Sequence, residues 1–256
     1  MSNTCWSVTE QEYLDSHEAS VLAFHDFYPE GHQGGIEIIQ HGERVAACGD
    51  LRVSPAAGGR TGHATAGKRR VDRQACVIEV PVALAGLNVN YTVRIAGEGD
   101  AVRLTVDLEK ALDRKVVGEA TFRMELYPPL YFGKTFHVGD VAGVFPREPN
   151  RPMRGTLESD RHVEPLGRGP KLTVAAEDPA LQMTVEGIGC EIELVDNRKR
   201  WQQDWFVVSS AVPFGRAGRV VEWLITPHRI EGWRRQPVIC VSQVGYHPRQ
   251  TKRAIL

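Results

Sequence analysis

Apolar and polar residues alternate with a period of two along much of this chain. Tyr91, Val93 and Ile95 share one face while Thr92 and Arg94 take the other, the pattern of a half-buried strand. Gly97, Gly99 and Asp100 then supply turn chemistry, after which Val102, Leu104, Val106 and Leu108 alternate with Arg103, Thr105 and Asp107. A hairpin is predicted there. The same period returns at Ala120, Phe122, Met124 and Leu126, and again at Leu172 and Val174 before an Asp178-Pro179 turn leading to Leu181, Met183 and Val185. Shorter strands are predicted within residues 35–39, 44–47, 76–82, 190–194, 206–208 and 220–225. Strands this numerous and evenly spaced predict an all-β fold: a large antiparallel β-sandwich of the supersandwich kind, with long irregular loops and few short helices.

Helical periodicity is scarce. Residues 10–19 fit a short helix and residues 109–114 a single turn, but neither carries a sustained apolar stripe, so both are expected at the periphery. Residues 54–73 are rich in glycine, alanine and basic side chains and predict a long exposed loop. Residues 144–170 contain Pro146, Pro149, Pro152, Pro165 and Pro170. That second irregular stretch reads equally as a subdivision between two sandwiches or as a long connection within one accessory sandwich spanning residues 1–237.

Composition narrows the classes of function. The 256 residues are 42% hydrophobic, enough for a sizeable core. Lysine and arginine number 31 against 32 acidic residues, a net charge of -1, so no global field draws the chain to nucleic acid or anionic lipid. The longest apolar run, residues 77–87, is broken by Glu79 and Pro81 and is too short to cross a bilayer. Residues 1–18 lack a basic start and an apolar signal core, which reads as cytoplasmic. Cys5, Cys48, Cys76, Cys190 and Cys240 are odd in number, far apart and without a C-x-x-C pair, so buried free thiols are expected. His17, His25, His32, His41 and His63 follow no ligand spacing; no metal and no cofactor are expected.

Catalytic motifs are sparse. The chain contains no G-x-S-x-G elbow, no phosphate-binding glycine loop and no H-E-x-x-H pair, and Gly31, Gly34 and Gly35 lack dinucleotide spacing. Glycoside cleavage needs two facing carboxyl groups, and Glu30, Asp50, Glu186, Asp196 and Asp204 are available to folding, yet no spacing selects a pair. Residues 28–35 form the densest polar and glycine-rich cluster before an apolar strand. They read either as a loop presenting Tyr28, Glu30, His32 and Gln33 to a sugar or a neighbouring domain, or as a tight turn capping its own backbone. Trp201, Trp205 and Trp233 suit stacking on the C–H faces of pyranose rings, and equally suit core packing. Asp196-Asn197-Arg198 reads as a turn.

Val241-Ser242-Gln243-Val244-Gly245-Tyr246-His247-Pro248, followed by Lys252-Arg253-Ala254, resembles the V-N-Q-V-G-Y-x-P…K-x-A opening of the immunoglobulin-like domain that precedes the catalytic barrel in family-nine glycoside hydrolases. Residues 28–35, Gly49-Asp50-Leu51-Arg52, Tyr131-Phe132-Gly133-Lys134 and Trp223-Leu224-Ile225-Thr226-Pro227 are similar to an additional N-terminal sandwich in some bacterial members. The resemblance implies a non-catalytic accessory domain followed by a linker and first immunoglobulin-like strand at residues 238–256. It places the acid and base carboxylates in a downstream (α/α)6 barrel, so no catalytic residue is carried over to this chain. Its implied partners are those downstream domains and an oligo- or polysaccharide. Two further readings stand beside it: a carbohydrate-binding module using exposed tryptophans, and a self-contained glycosidase with a site dispersed around residues 28–35. A strand at 238–256 without its own sheet would carry an unpaired edge.

Overall fold

A computed structural model describes residues 5–25, 34–57, 64–154, 162–199, 205–235 and 244–251. The chain starts in one sheet with β1 (Ser7–Val8), β2 (Leu14–Asp15), β3 (Ala19–Ala23), β4 (Ile36–Gln40) and β5 (Glu43–Pro55). It crosses to a second sheet for β6 (Thr65–Ala66), β7 (Arg70–Asp72), β8 (Val77–Leu84), β9 (Val89–Glu98) and β10 (Ala101–Leu108). It returns as β11 (Val117–Leu126), turns through the short helix α1 (Pro128–Tyr131) and re-enters the second sheet as β12 (Thr135–Val138) and β13 (Val141–Val144). A small pair, β14 (Met153–Arg154) and β15 (His162–Val163), precedes β16 (Gly167–Gly169), β17 (Lys171–Val174), β18 (Met183–Gly187), β19 (Ile192–Asp196), β20 (Phe206–Ala211) and β21 (Gly218–Pro227). The result is an all-β sandwich of two large antiparallel sheets. One is nine-stranded, in the order β1-β2-β3-β4-β5-β11-β20-β19-β16; the other is ten-stranded, β13-β12-β17-β18-β21-β10-β9-β8-β6, with β7 also on β8.

Period-two patterning accounts for the layering. Ile36, Ile38, Phe122, Met124 and Val208 of the first sheet and Ile95, Leu104, Val106, Trp223 and Ile225 of the second are fully buried between the layers. Each such aliphatic or aromatic side chain contributes on the order of 1.5–3 kcal/mol relative to exposure. The expected hairpin forms as β9–β10: Glu98 pairs with Ala101, and Gly99 adopts the positive φ (58°) that its tight turn requires. Both sheets take strands from either side of residues 144–170, so that stretch runs within one pair of sheets. Part of it pairs, with the Leu166 amide donating to the Leu194 carbonyl at 2.7 Å.

The structure corrects three local expectations. Residues 10–19 are not helical: Thr9 and Tyr13 close a tight turn, and Leu14, Ala19 and Val21 are buried through pairing of β2 with β3. Residues 109–114 are not helical: 109–113 are irregular, and the turn follows at 114–116, where Asp113 accepts from the amides of Lys115, Val116 and Val117. Within residues 54–73, β6 and β7 line the edge of the ten-stranded sheet, so that stretch is not all loop. The expectation of buried thiols holds for Cys76; Cys48 and Cys190 are half-buried and Cys5 is exposed, because it precedes the first strand. These four cysteines are free, and Cys240 lies outside the described residues. No described helix is long and apolar enough to cross a membrane.

Candidate functional site

The outer face of the nine-stranded sheet concentrates polar chemistry. With Phe122, Met124 and Leu126 of β11 turned inward, Thr121, Arg123 and Glu125 face out, and Tyr127 continues that phase past the strand end. Pairing with β20 sets Leu126 opposite Phe206, Glu125 opposite Val207 and Arg123 opposite Ser209. One step beyond the last pair, Tyr127 and Trp205 meet with ring centroids 5.0 Å apart and planes at 58°. Tyr127 is 43% exposed, while Trp205 is half-buried. Arg123 and Glu125 form an ion pair at 2.9 Å on the same face.

On the other side of β11, Glu125 pairs with Ala47, Arg123 with Asp50 and Thr121 with Arg52, and the register shift is absorbed at Cys48, which adopts a positive φ of 56°. The Cys48 thiol hydrogen-bonds Glu125 and lies near Arg52 and Glu37. Glu37 is almost wholly buried and sits 3.4 Å from Arg44. Asp50, also buried, accepts from its neighbour Leu51 N–H at 2.7 Å and from the Tyr91 hydroxyl of the opposite sheet at 2.5 Å. Burial, and then the adjacent Asp50, holds the Tyr91 hydroxyl well above its ordinary range, so it serves as a fixed donor.

Burial pushes the Cys48 thiol up to about 12, with Glu125 adding to it. Its proton is retained in the fold where an unfolded thiol would lose it, so the associated stability is complete below pH 9.0 and lost as pH rises towards about 12. Thiolate is the reactive form, so native Cys48 is expected to alkylate with iodoacetamide at pH 8.5 at least about a hundredfold more slowly than the same cysteine in urea, as peptide mass spectrometry would read.

Tyr28, Glu30, His32, Gln33 and Trp201 lie outside the described residues, as does Asp204. The described ends of those segments are not brought to one point. Ile36 stands beside Gly49, near the level of Arg123 and Ser209, whereas Trp205 immediately precedes β20 at the Tyr127 end. Trp233 packs on His17 (5.7 Å) and His41 (5.3 Å), and the His17 ring meets its carbonyl at 2.7 Å. Asp196 is fully buried and clamped by Arg198 at 2.8 Å; Arg198 also reaches the carbonyls of Pro146 and Arg147 and stacks on Phe132 and Phe206. That arrangement is structural and centres on the turn expected at 196–198. Glu186 stands 4.0 Å from Lys171, half-exposed. Of the five carboxylates weighed from sequence, Asp50 lies on β5 across from Arg123 of β11, and its carboxylate is bound to Tyr91 of the opposite sheet. Tyr127, Arg123 and Glu125 were missed, although the phase of Ala120, Phe122, Met124 and Leu126 already assigned them to the opposite face.

The ten-stranded sheet offers a contrast. Its outer face is a ladder of mutually satisfied ion pairs, Glu79–Arg94 at 3.5 Å, Arg219–Asp107 at 3.4 Å, and Arg103 bound to both Glu98 and Glu222. Two open grooves there, of about 650 and 430 Å³, meet at Asn90 and Glu109, which hydrogen-bond each other at 3.0 Å. Among the described residues no group of three histidine, cysteine or acidic side chains is arranged to hold a metal ion. Fold and site together define an all-β sandwich protein with one polar, aromatic-edged face. No protein-family model matches the chain, and no curated protein matches it.

Proposed function

We propose that this chain is a non-catalytic accessory sandwich of a carbohydrate-cleaving enzyme, built like the N-terminal sandwich that precedes the immunoglobulin-like domain in family-nine glycoside hydrolases. Its work is to hold downstream domains in place, and bond cleavage belongs to a helical barrel outside these residues. The observation that supports this reading is the contrast between two described parts of the chain after β21. Residues 228–233 are clamped to the sandwich: Glu18 accepts the Ile230 amide at 2.9 Å, Arg229 pairs with Asp100 at 2.8 Å, and Trp233 packs on His17 and His41. Residues 244–251, which carry the Val244-Gly245-Tyr246-His247-Pro248 part of the resemblance, are exposed, with Val244 at 98% and Tyr246 at 52%. A fixed exit followed by a segment that holds Val244 at the surface suits a sandwich whose next contact is another domain.

The purified chain is expected to release no product from aryl glycosides or soluble polysaccharides. A family-nine polypeptide of immunoglobulin-like domain plus barrel, added in trans, should bind it and raise its melting temperature. Hydrolysis by the chain alone, abolished by Asp50→Asn, would overturn the proposal.

A further inference from the structure

We infer that the Tyr127–Trp205 ring pair, with the Arg123–Glu125 ion pair beside it, is a contact site for a soluble, uncharged oligosaccharide. The inference deepens the accessory-domain reading by assigning a substrate-contacting face, and takes its ligand class from the chemistry of that face. A pyranose is amphipathic: its axial C–H bonds form an apolar plane, while its rim of hydroxyls both donates and accepts hydrogen bonds. The face presents the matching parts in the matching order. Tyr127 is 43% exposed and its ring is held by Trp205 at 5.0 Å, so an apolar plane stands at the surface without side-chain freedom to lose.

Two residues inward along β11, the Glu125 carboxylate is an acceptor and the Arg123 guanidinium a donor, fixed against each other at 2.9 Å. The Arg123 side chain is 25% exposed and that of Glu125 12% exposed, and the Ser209 hydroxyl stands opposite Arg123 on β20. Such a fork recognises adjacent hydroxyls through charge-assisted hydrogen bonds.

The sign balance argues against a charged ligand. Among the described residues of this face Glu125 is paired with Arg123 and Glu37 with Arg44, so these pairs add no net charge that would attract a polyanion or a polycation. Ring geometry selects further. Planes inclined at 58° cannot both lie flat under one extended ribbon. One sugar ring stacks while the second aromatic walls its side, which favours free oligosaccharide over the flat surface of a crystalline polysaccharide.

The test is a titration of the intact chain, by calorimetry and intrinsic tryptophan fluorescence, with soluble cello-, xylo-, manno- and chito-oligosaccharides. At least one series is expected to bind. Tyr127→Ala and Trp205→Ala should each weaken that binding about tenfold or more, the loss of roughly one good aromatic contact. Trp205→Phe should restore most of it, and Trp233→Ala should leave it unchanged. Circular dichroism of each variant separates loss of the site from loss of the fold, and Tyr127→Ala, at an exposed position, keeps the test decisive if Trp205→Ala unfolds. Absence of binding to every series, or binding untouched by Tyr127→Ala, overturns the inference. Preferential binding to crystalline cellulose or chitin overturns it too. So does a Tyr127→Ala variant that keeps sugar affinity but loses the barrel-containing polypeptide, which would make the face a protein-docking surface. Failure of the accessory-domain reading is a separate signal, glycoside hydrolysis by the unaltered chain, and leaves the titration readable.

Discussion

Trp223→Ala is expected to destabilise the sandwich by about 3–5 kcal/mol, the range for deleting a large buried aromatic. Trp223 has no exposed surface, meets Phe122 edge-on at 4.9 Å across the two layers, and donates its indole N–H to the Ser210 hydroxyl at 2.9 Å. Ser210 in turn donates to the Glu191 carbonyl at 2.6 Å, so a single indole ties β21 to both β11 and the β19–β20 pair. Alanine leaves a void that close-packed sheets cannot collapse into. Thermal unfolding followed by near-ultraviolet circular dichroism should show a midpoint lowered by roughly 10 °C for a domain of this size. Trp223→Phe keeps the ring contact with Phe122 and loses only the hydrogen bond and part of the volume, so it should cost less than half as much. Equal stability of Trp223→Ala and the parent would contradict the described core.

Asp196→Ala is expected to cost about 3–5 kcal/mol, the range for leaving one member of a buried ion pair alone. Asp196 is wholly buried and its partner Arg198 is only 13% exposed on its side chain. With the carboxylate gone, the Arg198 guanidinium keeps the carbonyls of Pro146 and Arg147 and the rings of Phe132 and Phe206, but no counter-charge among those contacts. The arginine should swing to solvent and release the chain at residues 146–147. Hydrogen exchange there and at the β19–β20 pairing should accelerate in this variant. Replacing both residues with apolar side chains of similar size should recover much of the loss, because the penalty comes from the stranded charge and not from the missing attraction. A double variant as unstable as Asp196→Ala would show that packing, not charge, is at stake.

Local pattern carried most of what the sequence made legible. The β9–β10 hairpin was readable because its alternation and its Gly99 turn lie within one short stretch. The order of strands was not, since Gly218–Pro227 settles between β10 and β18, and nothing near it in the chain names those neighbours. Residues 10–19 misled because they are short and partly polar; without a tertiary partner, helix and strand are nearly balanced there, and pairing with Val21 decides. At the site, Trp205 was visible as an aromatic beside a strand, but its partner Tyr127 emerges only from the register between β11 and β20. Asp50 stood among the carboxylates weighed, while Tyr91 was read simply as an inward strand position. Their hydrogen bond crosses between the sheets, a distance no spacing rule spans.

The position of β21 sets the order in which this protein can be completed during synthesis. It joins β10, from the first half of the chain, to β18, from the second, and it follows both of them in the sequence. Until it arrives, the ten-stranded sheet exists as two separate ribbons, each with an open edge that invites wrong partners. Closure of this sheet therefore waits for β21, and a nascent chain halted before Gly218 is left with two open-edged ribbons prone to adhere to one another.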